Sequence, residues 1–118
     1  MSKERRRSIK TAQPKMREMF LIVTGTLPDP ITPLGFDRFG VLPIKKTGTG
    51  DYLITLRSAF ARDVIAFAQS TDPSVICIVS AVTASTVQIT CWDIATGATP
   101  TDADLLLRIV GSEFSYDI

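Results

Sequence analysis

The sequence predicts an all-β domain: a two-sheet sandwich or jelly roll of about seven strands, preceded by an extended basic N-terminal arm. Three observations predict it. Apolar residues recur with a period of two more often than 3.6 along most of the chain. The alternating stretches are short and are separated by turn-forming segments such as "TDPS" and "KTGTGD". Charge is also divided unevenly: over residues 1–18, Lys3, Arg5, Arg6, Arg7, Lys10, Lys15 and Arg17 face only Glu4 and Glu18, a net +5. Residues 19–118 carry six bases and ten acids, a net −4, so the overall +1 conceals a basic arm on a mildly acidic body.

The division proposed is therefore an arm over residues 1–18 and a sandwich over residues 19–118, long enough for one hydrophobic core. Taken in order, "MFLIVTG" around Phe20 to Thr24 reads as a short strand buried on both faces, because its apolar run is unbroken. "GTLPDPITPLGFD" holds three of the seven prolines and two glycines, and reads as an extended loop crossing to the other sheet or to a partner. "FGVLPIKK" is a strand with Pro43 near an edge, "KKTGTGDY" a hairpin turn, and "DYLITLR" an alternating strand. "VIAFAQ" and "LLLRIVG" add two more strands. Leu53, Leu56, Phe60, Val64 and Phe67 also fit a helical stripe, but Tyr52, Ile54 and Thr55 favour two strands joined near Ala59 to Asp63.

"VICIVSAVTASTVQITCW" reads as a hairpin turning at Thr83, Ala84 and Ser85. In that register Cys77 faces Cys91, Val79 faces Ile89 and Ala81 faces Val87, giving a uniformly apolar core side. On the opposite side Ile76 lies beside Trp92 and Ile78 beside Thr90, while Ser80 with Gln88 and Val82 with Thr86 make the turn end polar. Ile76 and Trp92 thus mark an apolar end, covered either by another layer or by a subunit contact. The cysteines are expected to be two small buried thiols in a reducing compartment, although a cross-strand disulfide fits the register.

The chemistry-bearing residues are few. There is no histidine, so neither cysteine nor any serine has the usual activating base, and no catalytic residue is assigned. In "KKTGTGDY" the lysines and threonine precede the glycines and a strand follows, the reverse of a phosphate-binding loop, so no nucleotide cofactor is implied. Asp102 and Asp104 are two carboxylates, short of the oxygen count a calcium site needs, so no metal is implied. No run reaches the roughly 20 apolar residues of a membrane helix, and the start lacks a secretory h-region, which makes the cytoplasm the expected place of synthesis.

The basic arm suits a negatively charged partner. Nucleic acid would give salt-dependent phosphate contacts, and an acidic groove on a protein fits equally well; the arm has no aromatic side chains on which bases would stack.

The combination "GTGDYLITLRSAF", then "SVICIVSAVTASTVQITCWD", then "TGATPTDADLLLRIVG", over roughly residues 39–112, resembles the small β-sandwich structural proteins of tailed-bacteriophage virions, a group that includes capsid cement or decoration proteins and small tail components. The resemblance implies a non-enzymatic, oligomeric virion subunit assembled in the host cytoplasm. It implies contact with the major capsid protein or other virion subunits through Lys3, Arg5, Arg6, Arg7, Lys10, Lys15 and Arg17, with Ile76 and Trp92 sealing a like-with-like interface. The alternatives are a tail or head-tail component and a nucleic-acid-binding accessory protein that uses the same arm.

Overall fold

Alternation is the organising feature of the chain in space as well as in sequence. A computed structural model describes residues 16–95 and 97–113. It contains eight strands and one short 3-10 turn at Arg38–Gly40: β1 (Met16–Thr24), β2 (Lys45–Gly48), β3 (Asp51–Thr55), β4 (Arg62–Ser70), β5 (Val75–Val82), β6 (Thr86–Asp93), β7 (Thr99–Pro100) and β8 (Asp104–Ser112). The two-sheet, nearly all-β architecture expected from the pattern is present. The eighth strand is the two-residue β7, which pairs with Trp92 and Asp93 of β6.

One sheet has the order β1-β8-β4 and the other β2-β3-β6-β5, with every pairing antiparallel. Because β1 and β2 belong to different sheets, the order differs from the immunoglobulin arrangement, in which the first two strands share one. Between the sheets lie Met19, Leu21 and Val23 of β1, Leu105, Leu107 and Ile109 of β8, Tyr52 and Ile54 of β3, and Val87, Ile89 and Cys91 of β6. These are the alternate positions of each strand, so the period of two buries one face and exposes the other.

Residues 53–69 form two strands and not a helix, with the break at Leu56–Ala61 where Phe60 turns inward to the core. The loop from Gly25 to Ile44 does cross between the sheets, and it is stitched at both ends: Leu34 bridges Ile22, and Ile31 bridges Ile44. "FGVLPIKK" departs from expectation. It is not one strand: Val41 and Ile44 make isolated bridges on either side of Pro43, which has no N–H to donate, and regular pairing starts only at Lys45. The "KKTGTGD" segment is the β2–β3 hairpin turn, with Gly50 at φ +73° supplying the left-handed position.

The β5–β6 hairpin keeps the expected register from Ile76 opposite Trp92 through Cys77 opposite Cys91 to Val79 opposite Ile89. Beyond it a bulge at Ser80 shifts the pairing, so Ala81 faces Gln88 and Val82 faces Val87 rather than Val87 and Thr86. Bulges of this kind twist and blunt an edge strand, and β5 is an edge. The cysteines also correct the expectation. They are joined as a disulfide across the facing positions of β5 and β6, where the expectation of free thiols followed from compartment and not from geometry.

Candidate contact surfaces

The first surface is the outer face of the β1-β8-β4 sheet. "MFLIVT" is not buried on both sides: Met19, Leu21 and Val23 point into the core, whereas Phe20 and Ile22 are exposed. The same holds for Leu106 on β8 and for Ile65 and Phe67 on β4. Registration aligns these side chains in rows: Phe20, Arg108 and Phe67 lie side by side across the three strands, and Ile22, Leu106 and Gln69 form the next row.

Arg108 occupies the middle of the first row, its guanidinium 5.9 Å from the Phe20 ring centroid and 5.8 Å from that of Phe67. Its Nε donates to Glu18 at 2.8 Å, and its second nitrogen donates to the same carboxylate oxygen. The face thus carries one ion pair that is closed within the chain, surrounded by apolar side chains. So many apolar side chains on the solvent side of a sandwich are unusual, since such faces normally alternate to polar residues.

One wall of this surface is the segment Leu34–Arg38. Ile22 donates its N–H to the Leu34 carbonyl at 2.7 Å, Leu34 donates back to Ile22 at 3.0 Å, and the Asp37 N–H reaches the Phe20 carbonyl at 3.1 Å. The Asp37 carboxylate accepts the Phe20 N–H at 2.6 Å. Gly35 permits the turn: its φ is +103°, and a Cβ there would sit 3.1 Å from the β1 backbone. Held in this way, the segment projects Phe36 into solvent at 91% exposure. Between it and the sheet lies an open groove of about 690 Å³, floored by Phe20, Ile22, Leu106 and Phe67.

The second surface is on the opposite sheet, on strands β5 and β6. Ile76 is exposed beside the partly exposed Trp92, and Ile78 and Ile94 extend the patch. Toward the hairpin turn the same face becomes polar through Thr90 and Gln88. The register read from the sequence thus sets Ile76 beside Trp92, and the structure leaves Ile76 exposed rather than under another layer; the larger surface around Phe20, Phe36 and Phe67 was not anticipated. The signal was present in "MFLIVT", "VIAFA" and "LLLRIV": continuous apolar runs describe strands covered on both faces.

Of the basic residues assigned to the arm, Lys3, Arg5, Arg6, Arg7, Lys10 and Lys15 lie outside the described residues. Arg17 belongs to β1, so strand pairing begins at Met16, inside the proposed arm. Its guanidinium donates to the Ser58 carbonyl at 2.8 Å, lies 3.7 Å from Glu113 and stacks 4.2 Å from the Phe60 centroid. Those are contacts within the body.

The remaining polar clusters hold the fold. Asp102 accepts the Gly50 N–H at 2.8 Å and pairs with Lys46; burial alone would raise its carboxyl pKa, but the Lys46 and Gly50 bonds bring it below the usual value. Asp104 accepts the Thr26 hydroxyl at 3.2 Å. Tyr52 is buried; its hydroxyl donates to the Gly25 carbonyl at 2.9 Å and accepts the Ala103 N–H at 3.0 Å. Burial, opposed by the Ala103 bond and reinforced by Asp102 and Asp104, pushes its phenol up to about 12. Among the described residues no three His, Cys, Asp or Glu side chains gather to hold a metal, and no helix is long and apolar enough to cross a membrane. Comparison with protein families, with curated proteins and with solved structures finds nothing that matches this chain.

Proposed function

We propose that this chain is a non-enzymatic structural subunit that joins neighbours in a larger assembly, and that the assembly is a tailed-phage virion in which the chain cements the shell. The observation that carries the reading is the pair of apolar surfaces on opposite sides of one small sandwich: Phe20, Phe36 and Phe67 on one sheet, Ile76 and Trp92 on the other. Exposed apolar patches of this extent on a small domain mark interaction sites. Two of them back to back suit a subunit that touches two neighbours at once. The resemblance of residues 39–112 to virion sandwich proteins supplies the kind of assembly, and the basic arm adds charge contacts to an acidic neighbour.

The test is to mix the purified chain with duplex DNA and with empty tailed-phage capsid shells, at low and physiological salt. Saturable decoration of shells that survives physiological salt supports the reading, because apolar contacts are insensitive to screening. Binding to DNA alone, with affinity collapsing as salt rises, assigns the chain to the nucleic-acid class instead. Binding to tails and not to shells relocates the subunit within the virion.

A further inference from the structure

We infer that the groove beside Phe36 is the docking site for a second copy of this chain, each copy placing its Phe36 in the other's groove about a two-fold axis. The inference deepens the assembly reading by naming the occupant of one of the two surfaces.

Three features select a second copy. The surface carries both halves of a contact, a projecting aromatic ring and, beside it, an apolar groove that accepts one; an isologous two-fold interface needs that self-complementarity. The central charge on the face is already paired. Arg108 is closed by Glu18, so face-to-face packing buries it with its counter-charge, whereas the exposed Arg38, bonded to the Gly35 carbonyl at 3.1 Å and stacked 4.5 Å from Phe39, keeps its charge beside the groove.

The area is also sufficient. At about 200 Å² for a whole phenylalanine side chain, the exposed parts of Phe20, Phe36 and Phe67 come to roughly 400 Å². Ile22, Leu34, Ile65 and Leu106 bring the face toward the roughly 800 Å² per partner of a standard stable interface. The four backbone and Asp37 bonds that fix Leu34–Asp37 to β1 hold Phe36 in place before contact, which limits the ordering cost of association.

The measurement is sedimentation equilibrium of the full-length chain and of Phe36→Asp, Phe67→Asp and Ile76→Asp, with thermal unfolding of each as the control for folding. The expected result is a dimer for the native chain and for Ile76→Asp, and monomers for Phe36→Asp and Phe67→Asp. Phe36→Asp is the decisive variant, because a side chain 91% exposed leaves the fold intact when replaced. A native chain that stays monomeric at roughly 100 µM, above the micromolar upper end for interfaces of this size, overturns the inference. So does a dimer that survives Phe36→Asp, which would place the contact elsewhere, on the Ile76 and Trp92 patch if Ile76→Asp then abolishes it. Shell decoration scored on the same proteins separates the two claims: a monomeric native chain that still decorates shells removes the second copy and keeps the assembly reading, and a Phe36-dependent dimer that never decorates does the reverse.

Discussion

Glu18 and Arg108 form an ion pair in the centre of an apolar sheet face, with the Arg108 Nε 2.8 Å from the Glu18 carboxylate and the guanidinium flanked by the rings of Phe20 and Phe67. In the isolated chain both side chains are about half exposed, so water screens the pair and it adds little. Glu18→Gln and Arg108→Met should each change the unfolding free energy by less than about 1 kcal/mol in urea titrations. Arg108→Glu, which sets two carboxylates side by side on the contact face, should leave folding nearly unchanged and abolish self-association in sedimentation.

Gly25 packs against the hydroxyl of Tyr52 and the carbonyl of Ala103 so closely that a Cβ would collide with both. Neither neighbour can retreat, since one is backbone and the other is fixed by two hydrogen bonds in the core. Gly25→Ala should therefore cost at least about 2 kcal/mol by chemical denaturation. The exposed Gly97, where a Cβ meets nothing within 4 Å, provides a control for space although not for backbone, its φ being +84°.

Tyr52 also gives a pH signature. Its phenol is raised from 10.0 to about 12 in the folded chain, chiefly by burial, so the unfolded chain loses its proton first. The stabilisation of the neutral phenol is complete below pH 10 and is lost as pH rises through about 12, amounting to roughly 2 to 3 kcal/mol over the interval. Tyr52→Phe should be less stable at neutral pH by about 1 to 3 kcal/mol, because the Ala103 N–H loses its acceptor, and should lack this share of the alkaline decline. Equal slopes for both proteins between pH 10 and 12 would remove the assignment.

The Cys77–Cys91 disulfide closes a loop with a sequence separation of 14. Constraint of the unfolded chain by a loop of that length predicts a loss of about 2 to 3 kcal/mol on reduction, read as a lower urea midpoint with dithiothreitol than without. The double variant Cys77→Ala/Cys91→Ala should behave as the reduced protein and be indifferent to reductant.

Much of this architecture was legible because it is local. The hairpin register from Ile76 to Val79 is the one alternation predicts, but the expected three-residue turn is not formed: Thr83 bonds Thr86 across a tighter turn, and the Ser80 bulge restores the register; the β2–β3 turn follows from two glycines. Pairing between distant segments was not legible: nothing in "LLLRIVG" says that β8 lies between β1 and β4, or that Arg17 turns back onto Phe60. The Ser80 bulge was missed because it serves the edge position of β5, which is a property of the sheet and not of the hairpin. The expectation that Phe20 is buried fails because an apolar run carries no mark for whether the second covering layer belongs to the same chain.

In the proposed assembly both outer faces of the sandwich are covered. Hydroxyl-radical footprinting of the full chain, bound to shells and compared with the unfolded chain, measures this directly through the labelling of Phe36, Phe67 and Trp92. Strong protection of all three in the bound state is the predicted result. Phe36 and Phe67 labelled as fast as in the unfolded chain, with the shells fully decorated, would contradict it.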